Sequence, residues 1–233
     1  MFLSRLFLNT MDRTARYDLA RPYEMHRTIC TQGFGTLRKE DLGRILFRVD
    51  TDRHGSKPML IVQSEDKPDW SVMPSGYLSR PAEWKEFTPQ FTDGQRLQFR
   101  LRANPTKRVA AKNERLGSVM EGKRVGLSTE VEQIRWLLRK AELGGFRIPG
   151  QWVNILNQDT GKETEQPNFR VDARPEGRIH NSKPGYQGNF HVILFDGVLE
   201  VTDPSRFAVT LSQGVGSAKG FGFGLLSVAR VNA

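Results

Sequence analysis

The sequence has one cysteine, Cys30, among 233 residues. A disulfide scaffold and a cysteine-rich zinc module are therefore both excluded. Long apolar runs are also missing, and no stretch approaches the ~20 residues that a membrane helix needs. The start, Met-Phe-Leu-Ser-Arg-Leu-Phe-Leu-Asn, carries Arg5 inside its short apolar run and no basic residue ahead of it, so it does not read as a secretory signal. A soluble, cytoplasmic chain with no membrane contact is expected. The four histidines (His26, His54, His180, His191) have no ligand-type spacing. His26 and Cys30 are four residues apart, but two ligands do not make a site. No nucleophile-elbow serine motif is present. Neither a metal nor a cofactor is expected.

Positive charge is what the sequence has in excess. Lysine and arginine total 35 against 26 acidic residues, a formal charge of +9. Most of the excess lies between Arg96 and Arg139, where eleven basic residues face four acidic ones. A localised basic field suits a polyanion, with nucleic acid the first candidate. A solvated basic face with no specific partner gives the same count.

The chain length suits one large domain or two small ones. Phe2–Leu8 reads as a strand. Asp12–Gly33 reads as two helices broken at Arg21-Pro22, because proline fits the first position of a helix and not its interior. Arg44–Asp50 and Pro58–Gln63 read as a strand pair around a polar loop. Gln95–Ala103 alternates polar and apolar residues, as a strand buried on one face does. Asn104–Gly122 has no period and reads as a linker. Thr129–Leu143 has helical spacing, with Ser128 or Thr129 as its cap and Gly144-Gly145 as its end. Asn168–Gly188 reads as a polar, basic loop region. Phe190–Phe195 and Val198–Thr202 read as two strands joined by an Asp196-Gly197 turn. A helix capped by Asp203, a glycine-rich stretch and a last strand, Phe223–Val231, complete the chain. Nothing repeats at a short fixed period. Both halves mix strands with helices, which suits two α+β domains better than one doubly wound sheet.

Two segments carry candidate chemistry. Gly214-Val-Gly-Ser-Ala-Lys-Gly-Phe-Gly-Phe-Gly224 lacks the Gly-Lys-Ser/Thr of a P-loop and the third glycine of a dinucleotide fingerprint, and it precedes a strand where both need a helix. Lys219–Phe223 fits the opening of an RNA-recognition strand, yet little chain remains to complete such a domain. The stretch is either a glycine-lined turn or a backbone surface for phosphate. In Arg21-Pro-Tyr-Glu-Met-His-Arg27, helical geometry puts Tyr23, His26 and Arg27 on one face. An imidazole, a phenol and a fixed cation meet the needs of RNA cleavage by the substrate's own 2′-OH: a proton acceptor, a proton donor and positive charge. A surface or packing histidine remains the plainer reading of the triplet.

Arg21–Arg27 after an N-terminal strand resembles the active-site helix of the CasE family, the CRISPR repeat-RNA endoribonucleases of type I-E Cascade. Asp69-Trp-Ser-Val72, Gly94–Arg108 and the terminal Gly214–Ser227 are similar to that family too, in order and across both halves. The tail resembles the glycine-rich loop of the wider RAMP superfamily. The resemblance implies two tandem ferredoxin-like (RRM-like) domains, expected at residues 1–108 and 123–233 with a linker at 109–122. It also implies metal-independent cleavage of CRISPR precursor RNA at the base of the repeat stem-loop, leaving a 2′,3′-cyclic phosphate and a 5′-OH. The crRNA hairpin would then stay bound within Cascade, among its other subunits. Tyr23 and His26 match the catalytic pair, with Arg27 in support. Further catalytic groups are expected in Thr31–Leu42. The RNA-binding candidates are Arg102, Lys107, Arg108, Lys123, Arg124, Arg170, Arg174, Arg178, Lys183 and Lys219. The loop glycines are Gly214, Gly216, Gly220, Gly222 and Gly224. A non-catalytic RNA-binding subunit is the alternative.

Overall fold

The computed structural model describes residues 1–35, 38, 40–51, 57–109, 124–156, 163–183 and 186–231. The N-terminal unit comprises β1 (Phe2–Phe7), α1 (Arg13–Leu19), α2 (Pro22–Gly33), β2 (Ile45–Thr51), β3 (Pro58–Ser64) and β4 (Glu83–Glu86). Its sheet is antiparallel with order β2-β3-β1-β4, the ferredoxin-like order. The second crossover helix of that fold is reduced here to a short 3₁₀ turn at Trp70–Val72. Leu6, Met25, Ile29, Phe47, Leu60, Val62 and Tyr77 are among the residues of its core.

The rest of the chain comprises β5 (Arg96–Ala103), β6 (Thr106–Arg108), β7 (Arg124–Gly126), α3 (Glu130–Leu143), β8 (Phe146–Arg147), β9 (Gly150–Leu156), β10 (Glu163–Phe169), β11 (Val171–Lys183), β12 (Tyr186–Val201), α4 (Pro204–Gln213) and β13 (Leu226–Arg230). The sheet order β11-β12-β5-β13 repeats the first unit's pattern, with α3 and α4 as the two crossovers. Side oxygens of Thr129 and Asp203 cap α3 and α4, accepting from the backbone N–H groups of Glu132 and Arg206. β9 and β10 form a separate hairpin, and β6 pairs with β7.

Three sequence expectations are corrected. β5 was expected within an N-terminal unit ending at residue 108, but it hydrogen-bonds β12 and β13 and so belongs to the second sheet. The sheets therefore divide between Glu86 and Arg96, and the expected linker is outside the described residues except for Val109. Asp196-Gly197 makes no turn, and β12 runs straight through it. The Asp196 carboxylate binds Arg100 on one neighbouring strand and Arg174 on the other. Gly197 lets the chain at Arg170-Val171 approach so closely that a Cβ would lie 2.8 Å from Val171 Cα. The region 168–188 holds β11 and the start of β12, not a loop. β11 is an exposed edge strand, which tolerates Pro175 and a register shift between Pro175 and Gly177.

A buried guanidinium joins the two units. Arg48 on β2 is 3% exposed. Its Nε and Nη2 donate to the Asp50 carboxylate at 2.6 and 2.9 Å. Nη1 donates to the carbonyls of Arg100 and Leu225, both at 3.3 Å, and to Ser227 Oγ at 3.1 Å. Gln63 on β3 adds a second link, donating to the Leu211 carbonyl of α4 at 2.8 Å. Truncating one partner of a buried ion pair typically costs about 3–5 kcal/mol, because the other group is left uncompensated. Arg48→Ala is expected to lose stability of that order in urea unfolding. A shift below about 0.5 kcal/mol, the usual range for surface substitutions, would contradict the role given to this group.

Candidate active site

Helix α2 starts where the sequence permits: Pro22 takes the first position, and Glu24 lies in the first turn, where the helix dipole favours an acid. Met25, Ile29 and Gly33 are buried. The adjoining flank turns Tyr23, His26, Arg27, Cys30 and Thr31 toward a cleft of about 1110 Å³. Its opposite wall comes from the far end of the chain: Gln213 of α4 and Lys219, Gly220 and Phe221 of the glycine-rich loop. Phe34, Gly35, Leu42 and Gly43 also line it, so described residues of the segment after α2 border the cleft.

His26 is held on several sides. Its ring stacks on Phe47 with centroids 5.9 Å apart and planes 9° apart. Cys30 Sγ lies 3.8 Å from both ring nitrogens. A Cβ on Gly220 would lie 3.4 Å from His26 Cδ2, so the loop backbone passes directly over the imidazole. This burial lowers the imidazole pKa below its ordinary 6.5, leaving a neutral ring at neutral pH. Tyr23 meets Phe221 with ring centroids 6.2 Å apart. Arg27 donates to the Glu24 carboxylate at 2.8 Å.

The cleft contains groups that the sequence did not single out. Arg44 Nε donates to Gln213 Oε1 at 3.3 Å. Glu65 accepts from the Arg44 backbone N–H at 2.9 Å and from Gln213 Nε2 at 3.0 Å. These contacts bring β2, β3 and α4 together. No local pattern announces them, because the partners are far apart in sequence.

The glycine-rich loop borders two further clefts. Gly216 and Ser217 share one with Thr106, Arg108, Arg124, Trp136, Arg139 and Lys140. Gly222 shares the other with Arg100, Arg102, Arg174, Glu176 and residues of α2 and β2. The expected RNA-binding residues are thus spread over several surfaces. Lys219 is in the Tyr23–His26 cleft, and Arg108 and Arg124 are in the basic cleft beside it. Arg102 donates to Glu176 at 2.7 Å, Arg174 is held by Asp172 and Asp196, and Lys107 donates to Glu132 at 2.7 Å. Arg170 and Arg178 are exposed. Lys123 and the Lys183 side chain lie outside the described residues. Among the described residues, no three histidine, cysteine, aspartate or glutamate side chains gather as a metal-binding set. Among them, too, no helix is long and apolar enough to cross a membrane.

Two ferredoxin-like units meeting at a tyrosine–histidine cleft bordered by a glycine-rich loop define the class: a tandem ferredoxin-like protein. The family model for CRISPR associated protein matches residues 1–230, and the chain belongs to that family. It is 42% identical to the CRISPR-associated endoribonuclease Cse3 of Thermus thermophilus, over 98% of this chain and 100% of the relative. It is 31% identical to the Cascade subunit CasE of Escherichia coli, over 98% and 99%. A solved structure of Cse3 bound to a 19-nt RNA matches with a TM-score of 0.80 and 39% identity, covering 98% of this chain and 100% of that one.

His26 is expected to titrate below 6.5, followed by NMR of its ring protons. Phe47→Ala opens one face of the ring to water and is expected to move the midpoint back up. A wild-type midpoint at or above 6.5 would contradict the burial described here.

Proposed function

We propose that this chain is an endoribonuclease that cuts CRISPR precursor RNA at the base of the repeat stem-loop. The observation that carries the reading is the convergence of Tyr23 and His26 with Lys219 and Gly220 on one cleft between the two units. The similarity to Cse3 and CasE supports the substrate class. In the proposed reaction the 2′-oxygen attacks the adjacent phosphorus. The neutral His26 ring accepts the 2′-OH proton. The P–O5′ bond breaks as the Tyr23 phenol protonates the leaving oxygen. The products are a 2′,3′-cyclic phosphate and a 5′-OH, and a proton passing from His26 to Tyr23 restores both groups. Each proton transfer contributes about 10²–10⁴ in rate.

The nucleophile belongs to the RNA, and both proton carriers are side chains, so no metal takes part in this scheme. The basic cleft of Arg108, Arg124, Arg139 and Lys140 beside the site offers phosphate contacts for the hairpin, with the exposed Arg170 and Arg178 as further candidates. Many such contacts would hold the product hairpin after cleavage. The retained crRNA is then the link to the other Cascade subunits, and the proposed compartment is the cytoplasm, where precursor transcripts are made.

A single 2′-deoxy substitution immediately 5′ of the scissile phosphate is expected to abolish cleavage while leaving affinity nearly unchanged, since one hydroxyl among many phosphate and shape contacts adds little. Gel assays of cleavage and binding on paired substrates check this. Efficient cutting of the deoxy substrate would refute 2′-OH attack, and cutting of neither substrate would favour a non-catalytic RNA-binding subunit.

Cleavage is also expected to persist in excess EDTA. A loss of activity restored by Mg²⁺, with the RNA fold shown unchanged, would count against the scheme.

A further inference from the structure

We propose that Lys219 is a catalytic residue, its ammonium group placed on the non-bridging oxygens of the reacting phosphate. This rests on the endoribonuclease reading above and adds to it a cation that neither Tyr23 nor His26 supplies.

The placement comes first. Lys219 lines the same cleft as Tyr23 and His26, and its neighbour Gly220 runs over the His26 ring. The backbone that carries it is set with some strain. Ala218 has φ +64°, and among the described residues it is the one non-glycine with left-handed backbone. That conformation is unfavourable for a residue with a Cβ, and such outliers concentrate at functional sites. Lys219–Phe221 then form one 3₁₀ turn, closed by Gly222 at φ +79°. The lysine stem lies against Gly224, where a Cβ would sit 3.3 Å from Lys219 Cγ. Gly224 has φ +87°, a second reason for glycine there.

The charge is the second observation. Among the described residues the Lys219 side chain makes no hydrogen bond and no ion pair, and only its backbone carbonyl is engaged, accepting from the Gly222 N–H at 3.2 Å. The other cations of the cleft are already engaged: Arg27 by Glu24, and Arg44 by Gln213. Glu65, the acid lining the same cleft, accepts from the Arg44 backbone N–H and from Gln213 Nε2. Burial, and after it the charges of Arg44 and Lys140, lower the Lys219 pKa from its ordinary value. A half-buried ammonium in a cleft whose one lining acid is taken up elsewhere is a site that an anion would complete.

The reaction supplies that anion. A phosphodiester carries one negative charge, and attack by the 2′-oxygen places a second on the phosphorane oxygens. A fixed cation there gains most at the transition state, which is what lowers a barrier. Lys219 transfers no proton in this scheme. The O2′–P bond forms and the P–O5′ bond breaks, with His26 and Tyr23 carrying the protons as above.

The test is single-turnover cleavage of a repeat hairpin at saturating enzyme, alongside gel-shift affinity. Lys219→Ala is expected to slow cleavage about a hundredfold or more, as removal of one oxyanion-stabilising group does. Affinity should change only a few-fold, and Lys219→Arg, which keeps the charge, should recover much of the rate. Lys219→Met keeps the stem against Gly224 and should behave as the alanine variant does, which separates lost charge from lost packing. Sulfur replacing the contacted non-bridging oxygen should slow the wild type more than Lys219→Met. If Lys219→Met cuts at the wild-type rate at saturation and loses only affinity, Lys219 is a binding contact and the proposal fails. A wild type that leaves the hairpin uncut overturns the endoribonuclease reading itself, and this inference with it.

Discussion

A guanidinium shut away from water must find acceptors on every side, and for Arg48 they belong to three different strands. Asp50 on its own strand supplies the charge, while Arg100 on β5 and Leu225 just before β13 supply carbonyls and Ser227 on β13 a hydroxyl. The position of the first sheet relative to the second is therefore tied to one side chain. Both walls of the cleft hang from that joint. Phe47, the residue before Arg48, stacks on His26. Leu225, whose carbonyl Arg48 binds, directly follows the glycine-rich loop. A Cβ on Gly222 would lie 3.1 Å from the Phe47 ring, so loop and strand meet there as well. The His26 imidazole and the loop are thus held in register by a residue that lines neither wall.

The local part of this architecture was legible in the sequence. Pro22 marks the break between α1 and α2, Thr129 and Asp203 mark helix starts, and the spacing of Tyr23, His26 and Arg27 predicts one flank of a helix. What could not be read was pairing at a distance. The alternation of Gln95–Ala103 identifies a strand but does not say which sheet receives it. Asp196-Gly197 has the composition of a turn, and only the arginines on both neighbouring strands make it a place where three backbones lie close. Arg44, Phe47 and Gln213 reach the site because β2 and α4 pack together, so no motif surrounds them. Cys30, noted at first only as an unsuitable metal ligand, proves to be part of the wall around the imidazole.

The charge count needed the structure in another way. Much of the positive charge that pointed to nucleic acid is neutralised within the fold. Arg100 and Arg174 share Asp196, Arg96 and Arg147 share Glu200, Arg102 meets Glu176, and Arg135 meets Glu165. Several of these pairs are exposed, and exposed pairs contribute little to stability. Their effect on the surface field is larger, because a neutralised arginine no longer attracts an anion. Some of what remains borders the glycine-rich loop, in the basic cleft of Arg108, Arg124, Arg139 and Lys140 beside the Tyr23–His26 cleft.

The wide spacing of the two walls along the chain also sets a clock. Roughly 190 residues separate His26 from the loop that covers it, and a ribosome adds about 5–20 residues per second. The N-terminal unit ends at Glu86, about 130 residues before the loop, and is therefore complete on the order of 6–26 s before the loop exists. During that interval Phe47 and Cys30 can already pack on the imidazole, but Gly220 and Lys219 are absent from the cleft. The nascent chain then carries one wall of the cleft without the other, and the cleft is complete only when synthesis of the second unit is nearly finished.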